Sequence, residues 1–235
     1  MIQLIYMKPT TVIILCAGRG TRMGLLTENC PKPLLILSTG ETLLENKLHS
    51  LPSTITKIIL VVGYLGEMIQ KHIGISYEGK EVVYVSQDIE KAYGTGAALE
   101  LCKDYLQKEE SVLVLMGDDI YDKEDLEKLC QYENSILLAY KGEEKFNATW
   151  QVLVKDNVLV SFYEKVPPID LCTGIINTAA YVLSPKYFDI KPVTGADGEV
   201  QIPPTIIELV KDGVIFNTVK ASYWKQVTVS EDLVV

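Results

Sequence analysis

Ile14-Leu15-Cys16-Ala17-Gly18-Arg19-Gly20-Thr21-Arg22-Met23-Gly24 leaves an apolar run and enters glycines and two arginines, with Pro31-Lys32-Pro33 close behind. Loops of this composition hold phosphates, and spacing separates their kinds. A dinucleotide loop needs G-x-G-x-x-G, but the residue three after Gly20 is Met23, and Gly24 comes one place late. A Walker loop needs G-x-x-x-x-G-K-[ST], and no Lys-Ser or Lys-Thr pair follows these glycines. What remains is a strand end at which Ala17, Gly18 and Gly20 let a ligand approach the backbone, while Arg22 offers a forked donor to phosphate oxygens. Lys32 adds a second cation on a segment stiffened by its flanking prolines. Two cations bracketing a glycine turn suit a triphosphate.

Outward from this loop, short apolar runs recur at Val12–Leu15, Ile58–Val62, Val82–Val85, Val112–Met116 and Ile136–Tyr140, each bounded by polar residues or glycine. Between them, Leu44, Leu48 and Leu51; Ala98, Leu101, Cys102 and Tyr105; and Leu126, Leu129 and Cys130 repeat at helical spacing. The alternation predicts an α/β fold with a largely parallel sheet, helices on both faces and ligands at the carboxyl ends of the strands. Further on, Trp150–Val154 and Val158–Tyr163 read as a hairpin turning at Lys155-Asp156-Asn157, and Ile175–Leu183 as another strand. These antiparallel additions are expected to lie as a lid over the open sheet. No repeat or linker divides the chain, so one domain is expected, with a nucleotide half at about 8–120 and an acceptor half at about 121–235.

Bulk properties narrow the function. A formal charge of −9 argues against nucleic-acid binding, which draws on a broad excess of Lys and Arg. Five scattered cysteines, Cys16, Cys30, Cys102, Cys130 and Cys172, with no C-x-x-C pair, suggest neither disulfides nor zinc and point to a reducing cytoplasm. No run reaches membrane-spanning length, and Met1–Tyr6 is too short for a secretion signal, so no membrane partner is expected. The sequence leaves a homo-oligomer open.

The run Leu15-Cys-Ala-Gly-Arg-Gly-Thr-Arg22, then Thr27, then Pro31-Lys-Pro-Leu-Leu35 resembles the first motif of the sugar-1-phosphate nucleotidyltransferases, whose usual form is L-A-A-G-x-G-T-R…T…P-K-P-L-L. That resemblance implies a three-layer αβα, Rossmann-like nucleotide-diphospho-sugar transferase fold with a mostly parallel mixed sheet. It implies that Leu15, Ala17, Gly18, Gly20 and Thr21 bind the nucleotide, that Arg22 holds the leaving phosphates, and that Lys32 sits near the α phosphate. Met116-Gly-Asp-Asp-Ile120 is similar to the family's G-D motif and makes Asp118 the ligand of a Mg2+ ion, with Asp119 left open. A plain strand-ending turn, with Asp122 capping the next helix, is compatible with it.

Gln87 followed by Gly94-Thr95-Gly96 is similar to the family's base-reading segment, and an amide both donates and accepts, as a uracil or thymine edge requires. The alternative is a polar loop before a helix capped by Thr95 or Gly96. Phe162-Tyr-Glu-Lys-Val-Pro167 resembles F-x-E-K-P with one residue inserted, which implies that Glu164 accepts from sugar hydroxyls and Lys165 meets the sugar phosphate; a surface Glu–Lys pair is the alternative. Asn177-Thr-Ala-Ala-Tyr-Val-Leu-Ser-Pro185 resembles N-T-G-I-Y-V-L-S-P, with Asn177 facing the sugar and Ala179 where glycine is usual. Thr194–Ile202 is similar to the G-E-I-Q-L segment of glucose-1-phosphate uridylyl- and thymidylyltransferases, although Pro203-Pro204 replaces Thr-Asp.

One departure matters for chemistry. Tyr223-Trp-Lys-Gln-Val227 stands where many relatives read W-x-D-I-G, so Gln226 occupies the position of the second metal ligand, with an amide oxygen and no charge. His49 and His72 have no partners at triad or metal spacing and are assigned to structure. The chain stops earlier than relatives with an attached β-helix, so no acyltransferase activity is expected. The resemblance implies transfer of a nucleotide from a nucleoside triphosphate, UTP or dTTP favoured, to a sugar 1-phosphate. The rivals are a cytidylyltransferase for a phosphorylated alcohol such as phosphocholine and a silent NDP-sugar-binding regulator.

Overall fold

Strands buried on both faces need unbroken apolar runs, and the first such run, Thr11–Cys16, lies at the heart of the sheet. The computed structural model describes residues 6–108, 110–140, 150–164, 174–195 and 198–235. In chain order the elements are β1 (Thr11–Cys16), α1 (Leu43–His49), β2 (Lys57–Val62), α2 (Gly66–Ile73), β3 (Ser76–Tyr77), β4 (Lys80–Ser86), α3 (Thr95–Glu100), β5 (Val112–Met116), β6 (Asp119–Tyr121) and α4 (Lys123–Leu129). They continue with β7 (Ser135–Tyr140), β8 (Trp150–Lys155), β9 (Val158–Glu164), β10 (Ile175–Leu183), α5 (Lys186–Asp189), α6 (Ile202–Lys211), β11 (Asn217–Lys220) and β12 (Trp224–Gln226).

A ten-stranded sheet runs in the order β3-β4-β2-β1-β5-β10-β7-β11-β9-β8, and β6 pairs with β12 in a separate two-stranded sheet. Strands β4, β2, β1 and β5 are parallel, whereas β10 enters antiparallel between β5 and β7. Alternate residues of β1 feed opposite cores. Val12, Ile14 and Cys16 pack with Leu44, Leu48 and Leu126 on one face. On the other, Ile13 and Ala17 pack with Leu99, Ile206 and Leu209. A third cluster joins Met23, Leu35 and Leu43 to Ile120 and Val227, and so holds the loop after β1 against β6 and the end of β12.

The hairpin turns as expected, with Asp156 and Asn157 both at positive φ, the backbone of a two-residue turn that matches strand twist. It is not a lid. Strands β8 and β9 pair with β10 and β11 of the main sheet and bury Val152, Leu159 and Phe162 in its second core, so the apolar face that would have covered a cleft is spent on the sheet. The helix expected through Tyr105 ends at Glu100 and resumes as a 3-10 turn over Lys103–Tyr105, which leaves Leu101 exposed. His49 and His72 both have acidic partners: His49 meets Glu41 at 2.9 Å and the Tyr77 hydroxyl at 2.9 Å, and His72 meets Glu45 at 3.1 Å.

Asp122 caps α4 by accepting the Asp125 N–H at 3.2 Å. Asp125 in turn roots the segment leading into β12. Its fully shielded carboxylate accepts from the Ser222 N–H (2.5 Å), the Ser222 hydroxyl (2.7 Å) and Lys128 Nζ (3.1 Å). Removing it takes the acceptor from the N–H and hydroxyl of Ser222, which lies at the surface and can turn to water, so Asp125→Ala is expected to cost about 1–2 kcal/mol of stability. Urea unfolding of the variant beside the parent chain measures this.

Candidate active site

The chain leaves β1 toward β2 on one side and returns to β5 on the other, so the strand order reverses between β1 and β5. That is where a doubly wound sheet opens a crevice at its carboxyl edge. In the β1–β5 register Leu15 stands beside Met116, and both strands run out into loops at this point. A Cβ on Gly117 would lie 2.6 Å from the Leu15 carbonyl, so only glycine lets the two strand ends approach so closely. The resulting cleft, about 650 Å³, takes lining residues from both loops.

On the first wall, Gly20 adopts φ +66°, and a Cβ there would fall 2.9 Å from the Lys32 Cβ. The Thr27 hydroxyl reaches the Gly20 and Gly24 carbonyls at 3.0 and 3.2 Å and closes the loop on itself. Thr21 and Arg22 begin a short 3-10 helix and stay exposed at the rim. Arg19 is drawn over the Tyr64 ring, 5.7 Å from its centroid, while the Tyr64 hydroxyl donates to the Glu28 carbonyl at 2.7 Å. Lys32, in its own 3-10 turn between the prolines, is buried.

The second wall is acidic. Lys32 Nζ meets Asp118 Oδ2 at 2.6 Å, across the cleft floor. Asp119 is buried; its Oδ2 accepts from Trp224 Nε1 at 3.1 Å and lies 3.2 Å from the Tyr121 hydroxyl, whereas its Oδ1 has no hydrogen-bond partner. Beneath the turn, the fully buried Lys47 donates to the Asp119 carbonyl and stands 4.6 Å over the Tyr121 ring. Burial pushes the Asp119 carboxyl up to about 7, with repulsion from Asp118 adding to it, against the pull of Lys47. The same burial pushes the Lys47 ammonium down to about 8, opposed by the charges of Asp119 and Asp118.

At the far end of the cleft, Gln87 Nε2 donates to the Ala92 carbonyl at 2.7 Å and the Gly94 carbonyl at 3.2 Å. Both partners are acceptors, so the amide orientation is fixed and its donors are spent. The expectation that Gln87 donates and accepts at once is therefore corrected: its Oε1 alone is left to meet a ligand. The capping expectation is corrected too. Gly94 is the N-cap of α3, with no side-chain cap, and the Thr95 hydroxyl accepts instead from the Ile202 N–H, at 3.3 Å, at the start of α6. That segment is laced to 198–201: the Gly96 N–H donates to Val200 O at 2.7 Å, and the Val200 N–H donates to Tyr93 O at 3.0 Å.

Asn177 lines the cleft from β10, where its side chain shapes a bulge. Oδ1 accepts the Ala179 N–H at 2.8 Å, and Nδ2 donates to the Tyr181 hydroxyl at 2.5 Å. Ala179, at φ +57°, takes the left-handed conformation that glycine holds without strain. Glu164 ends β9, Lys165 lies outside the described residues, and Gln226 lines the cleft at the end of β12. The sequence reading missed Lys47, Tyr93, Glu199 and the role of Trp224. Lys47 carried a signal, because it falls on the same helical stripe as Leu43, Leu44 and Leu48.

Among the described residues no cluster of three or more His, Cys, Asp or Glu is placed to hold a metal. A cation here would rest on oxygen donors alone, which suits a hard ion such as magnesium that completes its shell with phosphate oxygens and water. The unpartnered, buried Asp119 Oδ1 fits that need. No helix among the described residues is long and apolar enough to cross a membrane.

A glycine loop with two cations that meets an acidic turn at the switch point of such a sheet defines the Rossmann-like nucleotide-transferase class of fold. The chain belongs to the nucleotidyl transferase family, whose family model matches residues 11–233. It is 31% identical over 218 residues to the bifunctional protein GlmU of Methanococcus maripaludis, covering 92% of this chain and 50% of that one. The chain thus spans about half the length of the first curated relatives it matches. It is 33% identical over 180 residues to the D-glycero-alpha-D-manno-heptose 1-phosphate guanylyltransferase of Campylobacter jejuni, covering 75% of this chain and 77% of the relative. In fold it is similar to a UDP-glucose pyrophosphorylase solved with UDP-glucose, at TM-score 0.80 and 17% identity over 96% of both chains.

The tightest seam of the site is at Gly94. It has φ +107°, and a Cβ would fall 2.3 Å from the Val200 carbonyl. Gly94→Ala is expected to force 198–201 away from α3 and to cost about 2 kcal/mol or more in urea unfolding.

Proposed function

We propose that this chain transfers a nucleotide from a nucleoside triphosphate, UTP or dTTP favoured, to a sugar 1-phosphate, releasing pyrophosphate and forming an NDP-sugar. The observation that carries the reading is the convergence of Arg22, Lys32, Asp118 and Asn177 on one cleft at the sheet's switch point. The phosphate of a sugar 1-phosphate is doubly ionised through much of the neutral range, so it attacks the α phosphorus without a general base. The protein's work is then positioning and charge stabilisation.

In this reading Arg22, exposed at the rim, takes the departing pyrophosphate, and Lys32 turns to the α phosphate. Glu164, Lys165 and Asn177 receive the acceptor. Leu15, Ala17, Gly18, Gly20 and Thr21 form the wall that follows the triphosphate, with Gly94 and Thr95 beside the base. Gln87 Oε1 accepts from the N3–H of a uracil or thymine ring, and carbonyl oxygens of the ring meet backbone N–H groups instead. Asp118, with the Gln226 amide, would hold Mg2+, whose chemistry here is neutralisation of charge on the α phosphate and pyrophosphate.

Relatives named for guanylyl transfer make the base the first variable to test. The experiment is pyrophosphate release with Mg2+ from UTP, dTTP, CTP, GTP and ATP, each against glucose, N-acetylglucosamine and mannose 1-phosphates and phosphocholine. Turnover with a uridine or thymidine triphosphate and a sugar 1-phosphate is expected. Turnover confined to CTP with phosphocholine would replace the acceptor class. Binding of NDP-sugars with silence across the panel would favour the regulatory reading, to which the uncharged Gln226 lends weight.

Arg22→Ala tests the phosphate wall cleanly, because the side chain is exposed and its loss leaves no buried group unpaired. Stability is expected to change by less than about 0.5 kcal/mol, while kcat/KM falls by about a hundredfold or more.

A further inference from the structure

In the β6–β12 pair, Gln226 stands directly opposite Asp119, and Trp224 stands opposite Tyr121. Directly opposed residues share a face of the ladder, and side chains two along a strand share it as well. The contacts agree, since Tyr121 and Trp224 both meet Asp119 Oδ2, at 3.2 and 3.1 Å. Asp119, Gln226, Tyr121 and Trp224 therefore form one face, and Asp119 and Gln226 both line the cleft beside Asp118.

On this face one polar atom is unexplained. Asp119 Oδ1 is buried and has no hydrogen-bond partner, although its sister oxygen accepts from Trp224 Nε1 and lies 3.2 Å from the Tyr121 hydroxyl, which also donates to the Thr178 carbonyl at 2.9 Å. A buried carboxylate oxygen left bare is expensive, and a bound ion is one of the few ways to satisfy it. The turn is held from below as well. Lys47 donates to the Asp119 carbonyl, which fixes the backbone that carries both aspartates. With Trp224 and Tyr121 gripping Oδ2, the carboxylate has little freedom to turn away.

We propose that Asp119 is the second carboxylate of the cation site, paired with Asp118, and that the Gln226 amide is a neutral neighbour to it. Resting on the reading of the cleft as a metal-assisted transferase site, this keeps two negative charges at the metal although residue 226 carries none. The second charge then lies one rung across the β6–β12 ladder from Gln226.

The test reads metal binding directly: Mn2+ is titrated into the full chain without nucleotide, and free Mn2+ is followed by electron paramagnetic resonance. Asp119→Asn is a mild substitution, because its amide oxygen still accepts from Trp224 and Tyr121, and a thermal melt checks its fold. Asp118→Asn and Asp119→Asn are each expected to weaken Mn2+ binding by about tenfold or more, and Gln226→Ala by less than about threefold. Moving the charge back with Asp119→Asn plus Gln226→Asp should recover most of the affinity. If Asp118→Asn loses Mn2+ while Asp119→Asn binds it like the parent, this assignment falls and the transferase reading stands. If neither substitution matters, or the parent chain binds no Mn2+, the two-carboxylate site is wrong and this assignment falls, whereas the transferase reading falls only if the pyrophosphate-release panel is silent.

Discussion

The ion pair between Lys32 and Asp118, 2.6 Å long, is the contact on which the geometry of the cleft turns. It joins two loops that the sequence separates widely and that only the β1–β5 register brings together. Each partner is placed by steric necessity. Lys32 is packed against Gly20, where no side chain fits, and Asp118 follows Gly117, where a Cβ would strike the Leu15 carbonyl. The pair therefore reports that both strand ends and both glycines are in place. In the proposed reaction the same two groups part, the lysine turning to phosphate and the carboxylate to a cation.

The chemistry proposed here asks the protein for little beyond placement. Cys16, in the wall of the cleft, is buried, and that burial pushes its thiol up to about 12, which disfavours the thiolate a covalent route would need. The walls instead present charge. Arg22 is exposed at the rim, while the acidic turn is fixed by Lys47 below and by Trp224 and Tyr121 at its side. A fixed acidic floor with an exposed cationic rim suits a reaction in which negative charge shifts from the α phosphate to a leaving pyrophosphate.

Much of this was legible in the sequence because the demands were local. A strand buried on both faces must be continuously apolar, as Val12–Leu15 and Ile58–Val62 are, and residues 17–22, the loop proposed to hold the phosphates, are small-residued and cationic. Turn chemistry was legible as well, in Asp156-Asn157 and in Asp122 ahead of α4. What stayed hidden depends on distant partners. A lysine on an apolar stripe reads as a solvated charge until the Asp119 carbonyl is seen to wait for it. Gln87 looks free to donate until the Ala92 and Gly94 carbonyls fold back onto it. The hairpin was read as a lid because its apolar face had no visible destination; β10 and β11 supply one. Helix α2 went unread because it starts after Leu65, a left-handed residue with no capping side chain.

The central claim is direct transfer between two bound phosphates with no intermediate on the protein, and isotope exchange tests it most directly. The chain is incubated with labelled pyrophosphate, Mg2+ and either a nucleoside triphosphate alone or a panel of NDP-sugars. Direct transfer predicts label in nucleoside triphosphate only when an NDP-sugar is present to be split. Exchange into a triphosphate with no sugar compound in the tube would mean a nucleotidyl-protein intermediate and would contradict the account.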